Sequence, residues 1–419
     1  MNMAAKISIV LPVHNGESRL TEALECLLNQ TLQEIELVCV DDASTDGTAR
    51  IIEAYQAKDP RVVLVRHEKN RGSLMARKTG TLQASGEYLM YMDHDDAFVP
   101  EACATLLRAM EESGAEMIHF GTQYVNEEGF QTAPETGSLF ERDAADAGAW
   151  EGVQPGRELL ERFFIAKDLH WAIWNKIYRA DLAKRVFGSL EEAWCTLGED
   201  MLVTFLMLTN ATRVAYLREK LYVYRMGLGI TSKLSKNKAR AVANEYRVYQ
   251  MLRDGLTEEQ LQDPSISAAL EIVHDDLMAA VLWNMLHVED DAALETMITS
   301  LAEHCDALTL WRELQRYHIK MEDQFQERIG EMESFSGWEH EQWDSFEKQL
   351  REEIAQLYQG LEEKDRYYEG VIALHDQQAA QELEQAKQRI ASLETALDAE
   401  KRKGMLKHLK TKWETERRR

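Results

Sequence analysis

Asp93, Asp95 and Asp96 crowd into four positions of the stretch "GEYLMYMDHDDAFVP", directly behind an apolar run. Such crowding is repulsive, and two explanations compete. One is a solvated turn, which Asp favours; the other is a divalent cation that relieves the repulsion. Asp93 and Asp95 stand two apart at a strand end, so their side chains can converge as the chain turns. Hard cations such as Mg²⁺ and Mn²⁺ take carboxylate oxygens together with those of a bound diphosphate, so few protein ligands are needed.

Three further groups carry chemistry. Asp41 and Asp42 end the run "IELVCVDD" ahead of the turn "ASTDGT". They precede the cap of the next helix, which therefore does not require them, and a carboxylate there can accept a nucleobase N–H. "HEKNRGSLMARKTG" offers Arg71, Arg77 and Lys78 as anion partners, since guanidinium forks suit phosphate oxygens. "LGED" pairs Glu199 with Asp200. Acids also favour the positive end of a helix, so this pair reads either as helix electrostatics or as a general base.

The elements that must position these groups follow from hydrophobic pattern. "ISIVLPV", "IELVCVDD", "RVVLVRH", "EYLMYMD" and "EMIHFG" are short apolar runs of the buried-strand type. Between them "RLTEALECLLNQ", "TARIIEAYQAK" and "VPEACATLLRAMEES" repeat at helical spacing. Alternation of this kind predicts βαβ units and a mostly parallel α/β sheet flanked by helices. Ligands then bind at the carboxyl ends of the strands, where "HNGE", "DDASTDGT" and "DHDD" should line one rim. A loop or hairpin excursion is expected over residues 122–154, helices at "GRELLERFFIAK", "WAIWNKIYRADLAKRV" and "LGEDMLVTFLMLTNA", and a strand at "RVAYLREKLYVYRM". The first domain accordingly spans residues 1–235.

Past residue 235 the pattern becomes helical. A helical domain is expected over 236–318, a long coiled-coil-like region over 319–400 and a basic amphipathic tail over 401–419. Leu383, Ala386, Ile390, Leu393 and Leu397 form a heptad seam that offers a homo-oligomer contact. The tail's Met405, Leu406, Leu409 and Trp413 share one face, suited to peripheral contact with anionic lipid. A formal charge of −25 over 419 residues excludes a general nucleic-acid binder. Five singly placed cysteines, an N-terminal apolar run too short for a secretory signal and no membrane-length apolar stretch lead to the expectation of a cytoplasmic protein.

Taken together, "ISIVLPVHNGE", "VDDASTDGT", "NRGSLMARKTG", "ASGEYLMYMDHDD", "WNKIYR" and "LGEDMLV" resemble the family 2 glycosyltransferases of the GT-A fold, in order and spacing, over residues 6–235. The resemblance implies a nucleotide-sugar donor, UDP-linked, a divalent cation (Mn²⁺ or Mg²⁺), and inversion at the anomeric carbon. Carried onto this chain, it implies that Pro12, Val13, His14 and Glu17 flank the nucleobase and that Asp42 accepts its N–H. Asp93 then approaches ribose or metal, Asp95 ligates the metal, and Arg77 serves the nucleotide. Asp200 is the implied general base, with Glu199 beside it, and Trp174 and Lys176 lie near donor sugar or acceptor. The implied acceptor is a glycan or lipid-linked glycan, as in bacterial surface polysaccharide synthesis. The QxxRW motif of processive relatives is missing from the sequence, which argues against a polymerising synthase. The rivals are nucleotidyl transfer to a sugar phosphate, which would release pyrophosphate, and a non-catalytic sugar-nucleotide-binding scaffold.

Overall fold

The computed structural model describes residues 4–126, 129–134, 150–227, 245–287 and Met297. The heptad seam and the basic tail lie outside the described residues, as does most of the expected excursion. Among the described residues nine strands form one sheet, in the order β3-β2-β1-β4-β8-β6-β9-β5, with β7 paired to β9. The strands are β1 (Ile7–Val13), β2 (Ile35–Asp41), β3 (Val62–Arg66), β4 (Tyr88–Tyr91), β5 (Ala97–Phe98), β6 (Met117–Val125), β7 (Val153–Gln154), β8 (Lys176–Arg179) and β9 (Val214–Arg225).

β1 lies between β2 and β4 and is parallel to both. Its seven residues are all buried, because helices cover both faces. Ile7, Ile9, Leu11 and Val13 pack with helices α1 (Leu20–Leu28) and α4 (Ala102–Ser113), while Val10 packs on the other face with α3 (Gly72–Gln83). That split is the two-residue period of a strand made visible. α1 buries Leu20, Ala23, Leu24 and Leu27, one stripe at helical spacing. α2 (Thr48–Gln56) joins β2 to β3.

The expected mostly parallel sheet is in fact mixed, with four parallel and four antiparallel strand pairings. Two of the antiparallel pairings come from β8, which runs between β4 and β6, and the other two join β5 and β7 to β9. The "KIYR" of β8 belongs to a stretch that reads as helical in sequence. Ile177 and Tyr178 are both fully buried but face opposite sides of the sheet, so their period is two. Helix α6 (Ala180–Ser189) begins only after Arg179. β6 also continues to Val125, past the expected start of the excursion, and Val125 makes an antiparallel bridge to Gln131.

The remaining helices are α5 (Gly156–Leu160), which runs into a π-helical turn at Glu161–Ile165, then α7 (Glu199–Asn210), α8 (Glu245–Asp254), α9 (Glu258–Leu261) and α10 (Pro264–His287). Val248 and Leu252 of α8, and Ala269 and Val273 of α10, join the same apolar cluster as α3, α6 and α7. No described helix is long and apolar enough to cross a membrane.

α3 carries much of the site, and two glycines set its place. A Cβ on Gly80 would come 2.4 Å from Val10 Cγ1, so α3 lies directly on β1. Gly72 begins the helix at φ +82°, where a Cβ would stand 2.6 Å from the Cys195 carbonyl oxygen. Gly72→Ala combines left-handed strain with a backbone clash and should cost about 1–3 kcal/mol. Urea unfolding of the variant checks this; an unchanged midpoint would contradict the packing.

Candidate active site

The first loop cluster lies beyond the carboxyl ends of β1 and β2. The Asn15 amide donates to Ser44 Oγ at 2.9 Å, and the Gly16 amide donates to Thr48 Oγ1 at 2.9 Å. Glu17 Oε2 accepts from the Gly47 amide at 2.8 Å, next to the first residue of α2. His14 places Nδ1 2.8 Å from the Asp42 carbonyl oxygen. Pro12 and Val13 are buried within β1. The His94 ring presses on this same loop, 2.7 Å from where a Gly16 Cβ would stand. The three polar clusters therefore do share a rim.

Asp42 differs from its expected role as a nucleobase acceptor. It accepts from the Arg71 amide at 2.9 and 3.1 Å and from the Gly72 amide at 2.8 Å, and its Oδ1 lies 2.6 Å from His67 Nδ1. His67 Nε2 in turn contacts Thr79 Oγ1 at 2.9 Å. The carboxylate is buried and spent on the N-terminus of α3, a helix that starts some thirty positions downstream. Its neighbour Asp41 accepts from the Ser44 amide at 2.9 Å through Oδ1, and its Oδ2 lies 3.9 Å from Arg66 Nε.

With its start held in this way, α3 carries Arg77 into the centre of the site. The guanidinium is buried. Nη1 donates to Glu199 Oε1 at 2.7 Å and to Asp200 Oδ1 at 2.9 Å, while Nη2 donates to Asp93 Oδ1 at 2.8 Å. Arg77 thus spends its charge on protein carboxylates, whereas the sequence reading assigns it to the nucleotide.

Glu199 and Asp200 open α7 behind Gly198, whose φ of +77° suits glycine. Ser73, one turn before Arg77 on α3, donates to Glu199 Oε1. Asp200 Oδ2 accepts from the Ile173 amide at 3.4 Å. The Asp200 side chain is 22% exposed, so a substrate can reach it. Burial pushes its carboxyl up to about 7; Arg77 pulls it down, and Glu199 and Asp93 push it further up.

The aspartate turn divides its work. Asp96 is buried, accepting from Tyr222 Oη at 2.7 Å and from the Arg225 amide at 2.8 Å. Burial, with Asp95 and Asp93 alongside, holds its carboxyl well above the usual range. It ties the turn to β9. Asp95 is half-buried, and among the described residues no Lys or Arg is ion-paired with its carboxylate. Arg225 Nη1 reaches only its carbonyl oxygen, at 3.4 Å. Burial and the Asp93 charge raise the Asp95 carboxyl, which is the electrostatic setting a cation would relieve. No cluster of three or more His, Cys, Asp or Glu suited to a metal occurs among the described residues. A cation here would therefore draw on one or two carboxylates and on ligand oxygens.

Trp174 and Lys176 lie elsewhere than expected. Trp174 is buried, stacked on Tyr222 with ring centroids 4.5 Å apart and on Tyr224 at 5.3 Å. Lys176 is fully buried at the start of β8. Its ammonium donates to the carbonyls of His170 (2.8 Å) and Ala172 and to Asn175 Oδ1 (2.7 Å). Three donors meet three acceptors, so Lys176 braces the 170–176 loop instead of touching a sugar. That loop supplies the Ile173 amide to Asp200 and accepts from Thr204 Oγ1 at the Trp171 carbonyl, 2.7 Å away. Ser73, His67 and Ile173 are site residues that the sequence reading does not find, since none carries a motif of its own.

Residues 8–179 match the family model for glycosyl transferase family 2. Among curated proteins, the glycosyltransferase GlyA of Streptococcus pneumoniae serotype 4 is 30% identical over 233 residues, 55% of this chain and 32% of that protein. The putative glycosyltransferase EpsH of Bacillus subtilis is 28% identical over 229 residues, 53% of this chain and 61% of that protein. The chain thus spans less than two thirds of the length of either relative. Among solved structures, Staphylococcus aureus TarS 1–349 in complex with UDP aligns over 73% of this chain and 83% of its own, with 22% identity and a TM-score of 0.49. Mannosyltransferase PcManGT from Pyrobaculum calidifontis, in complex with GDP-Man and Mn²⁺, aligns over 76% and 86%, with 16% identity and a TM-score of 0.44.

Proposed function

We propose, from the premise that residues 8–179 form a family 2 glycosyltransferase domain, that the protein moves one sugar from a UDP-sugar to an acceptor hydroxyl with inversion. The observation that carries this reading is the meeting of Asp93 and Asp200 on a single buried guanidinium. In this reading Asp93 is the donor-side acid and Asp200 the base-side acid, both held by one guanidinium.

In this mechanism Asp200 takes the proton of the acceptor hydroxyl as its oxygen attacks the anomeric carbon. The bond from that carbon to the diphosphate oxygen breaks, and its electron pair leaves with the nucleoside diphosphate. Attack opposite the leaving group inverts the centre. Asp95, with Asp93, would hold Mn²⁺ or Mg²⁺, which when bound supplies charge stabilisation to the leaving diphosphate. Asp41, one residue before the spent Asp42, is the carboxylate we assign to the nucleobase N–H. A glycan or lipid-linked glycan of the cell surface is the proposed acceptor class, and the cytoplasm with peripheral lipid contact through residues 401–419 the proposed setting.

A base raised to about 7 acts only when deprotonated. Turnover should therefore fall about tenfold per pH unit below pH ~7 and level off above it. A pH profile of kcat/KM checks this; a flat profile from pH 5 to 8 would remove Asp200 from the role. The function itself is tested by incubating the protein with Mn²⁺ and UDP-, GDP- and dTDP-sugars. Release of nucleoside diphosphate supports glycosyl transfer, whereas release of pyrophosphate sinks it.

A further inference from the structure

We propose that Arg77 is a positioning residue: its buried guanidinium fixes the spacing between the Asp200 carboxylate on α7 and the Asp93 carboxylate after β4, and does not touch the donor. The inference rests on Asp200 being the base of the proposed transfer. Three observations support it.

First, both terminal nitrogens of the guanidinium are engaged. They serve three carboxylates, at 2.7, 2.8 and 2.9 Å, while Nε has no hydrogen-bond partner but is itself buried, and the side chain as a whole is 4% exposed, so the group is turned to the protein carboxylates and away from solvent. Second, those carboxylates come from elements far apart in the chain. Glu199 stands 122 positions from Arg77 and Asp93 only 16. Without a bridging cation, Asp93 and Asp200 would repel each other across the cleft. Third, the strut has a fixed footing. Asp42 caps α3, Gly80 seats it on β1, and Thr81 Oγ1 bridges the Arg77 carbonyl (2.8 Å) to Tyr91 Oη (2.7 Å) on β4.

The shape of the group matters. A guanidinium is a rigid fork with donors on separate nitrogens, whereas an ammonium is a single point of charge. Lysine at this position retains the positive charge but cannot span from the Glu199–Asp200 side to Asp93. The expected loss is therefore one of alignment. A displacement of about 1 Å at a catalytic group can cost on the order of 10²-fold in rate.

The test compares the full-length parent with Arg77→Lys in three measurements: thermal melting, calorimetric binding of UDP, GDP and dTDP with Mn²⁺, and steady-state turnover of the donor identified by the sugar panel. The expected pattern is nucleotide affinity and donor KM within about threefold of the parent, with kcat lower by about 10²-fold. A purely structural role would lower the melting temperature without separating kcat from KM. A nucleotide affinity at least tenfold weaker, or an unchanged kcat, would overturn the proposal. Should Arg77→Lys not fold, Glu199→Gln replaces it. That variant still offers Nη1 an acceptor, and it should also lower kcat at constant donor KM; a rise in KM instead counts against the strut. A parent that binds nucleotide but turns over no sugar sinks the transfer reading, and the strut is then decided by the nucleotide affinity of Arg77→Lys. A parent that binds no nucleotide overturns both.

Discussion

Asp200→Asn should lower kcat by about 10²–10⁴-fold, the range of a general base, while nucleotide affinity stays near that of the parent. The amide is nearly the shape of the carboxylate, and its one oxygen can still accept from Arg77 Nη1; it gives up only the longer contact, 3.4 Å, from the Ile173 amide to the second oxygen. What it cannot do is take a proton. The substitution also removes one negative charge from a site where three acids share one guanidinium, so the fold should not suffer. Calorimetry with UDP and Mn²⁺, run beside initial rates, separates the two effects. Equal loss of binding and turnover would place Asp200 in the donor pocket and leave the base unassigned.

Asp95→Ala should abolish the metal dependence together with the activity. Losing charge stabilisation of the leaving diphosphate is worth several kcal/mol, on the order of 10³-fold in rate. The stability of the protein should change little or improve, because burial and the Asp93 charge already disfavour the ionised Asp95. Asp96 makes the contrast. Its carboxyl ties the turn to Tyr222 and to the Arg225 amide, so Asp96→Ala should act mainly on folding. A fully active Asp95→Ala enzyme in EDTA would end the metal assignment.

Much of the framework is legible in the residues themselves, and what is legible is local. β1 and β2 are largely apolar runs that are almost wholly buried, and α1 buries a stripe at three- and four-residue steps; both patterns report directly on burial. β8 is misread because a four-residue strand flanked by loop and helix offers too few positions for a period of two to stand out. The acids are legible as a set, since unpaired acids at strand ends need a reason. Their individual duties are not, because each is decided by a partner far away in the chain. Asp42 is spent on amides at Arg71 and Gly72, and Arg77 on acids up to 123 positions distant. Lys176 shows the reverse case. The family resemblance implies a place near donor sugar or acceptor, while the chain folds three carbonyl-type acceptors around its ammonium.

The fold and the site therefore rest on different physics. Hydrophobic period locates the sheet and the helices that cover it. Electrostatic compensation then decides which acids face inward to hold the frame and which remain available. By that criterion Asp42 and Asp96 hold the frame, Asp95 remains open to a cation, and Asp200 remains partly exposed at the start of α7.

A crystal structure of the protein with UDP and Mn²⁺ tests the central claim most directly. The expected result is a metal held at Asp95 beside the diphosphate, with the Asp200 carboxylate turned into the same cleft and still held by Arg77. Nucleotide and metal bound away from the Asp93–Asp96 turn, or an Asp200 side chain facing away from the diphosphate, would contradict it.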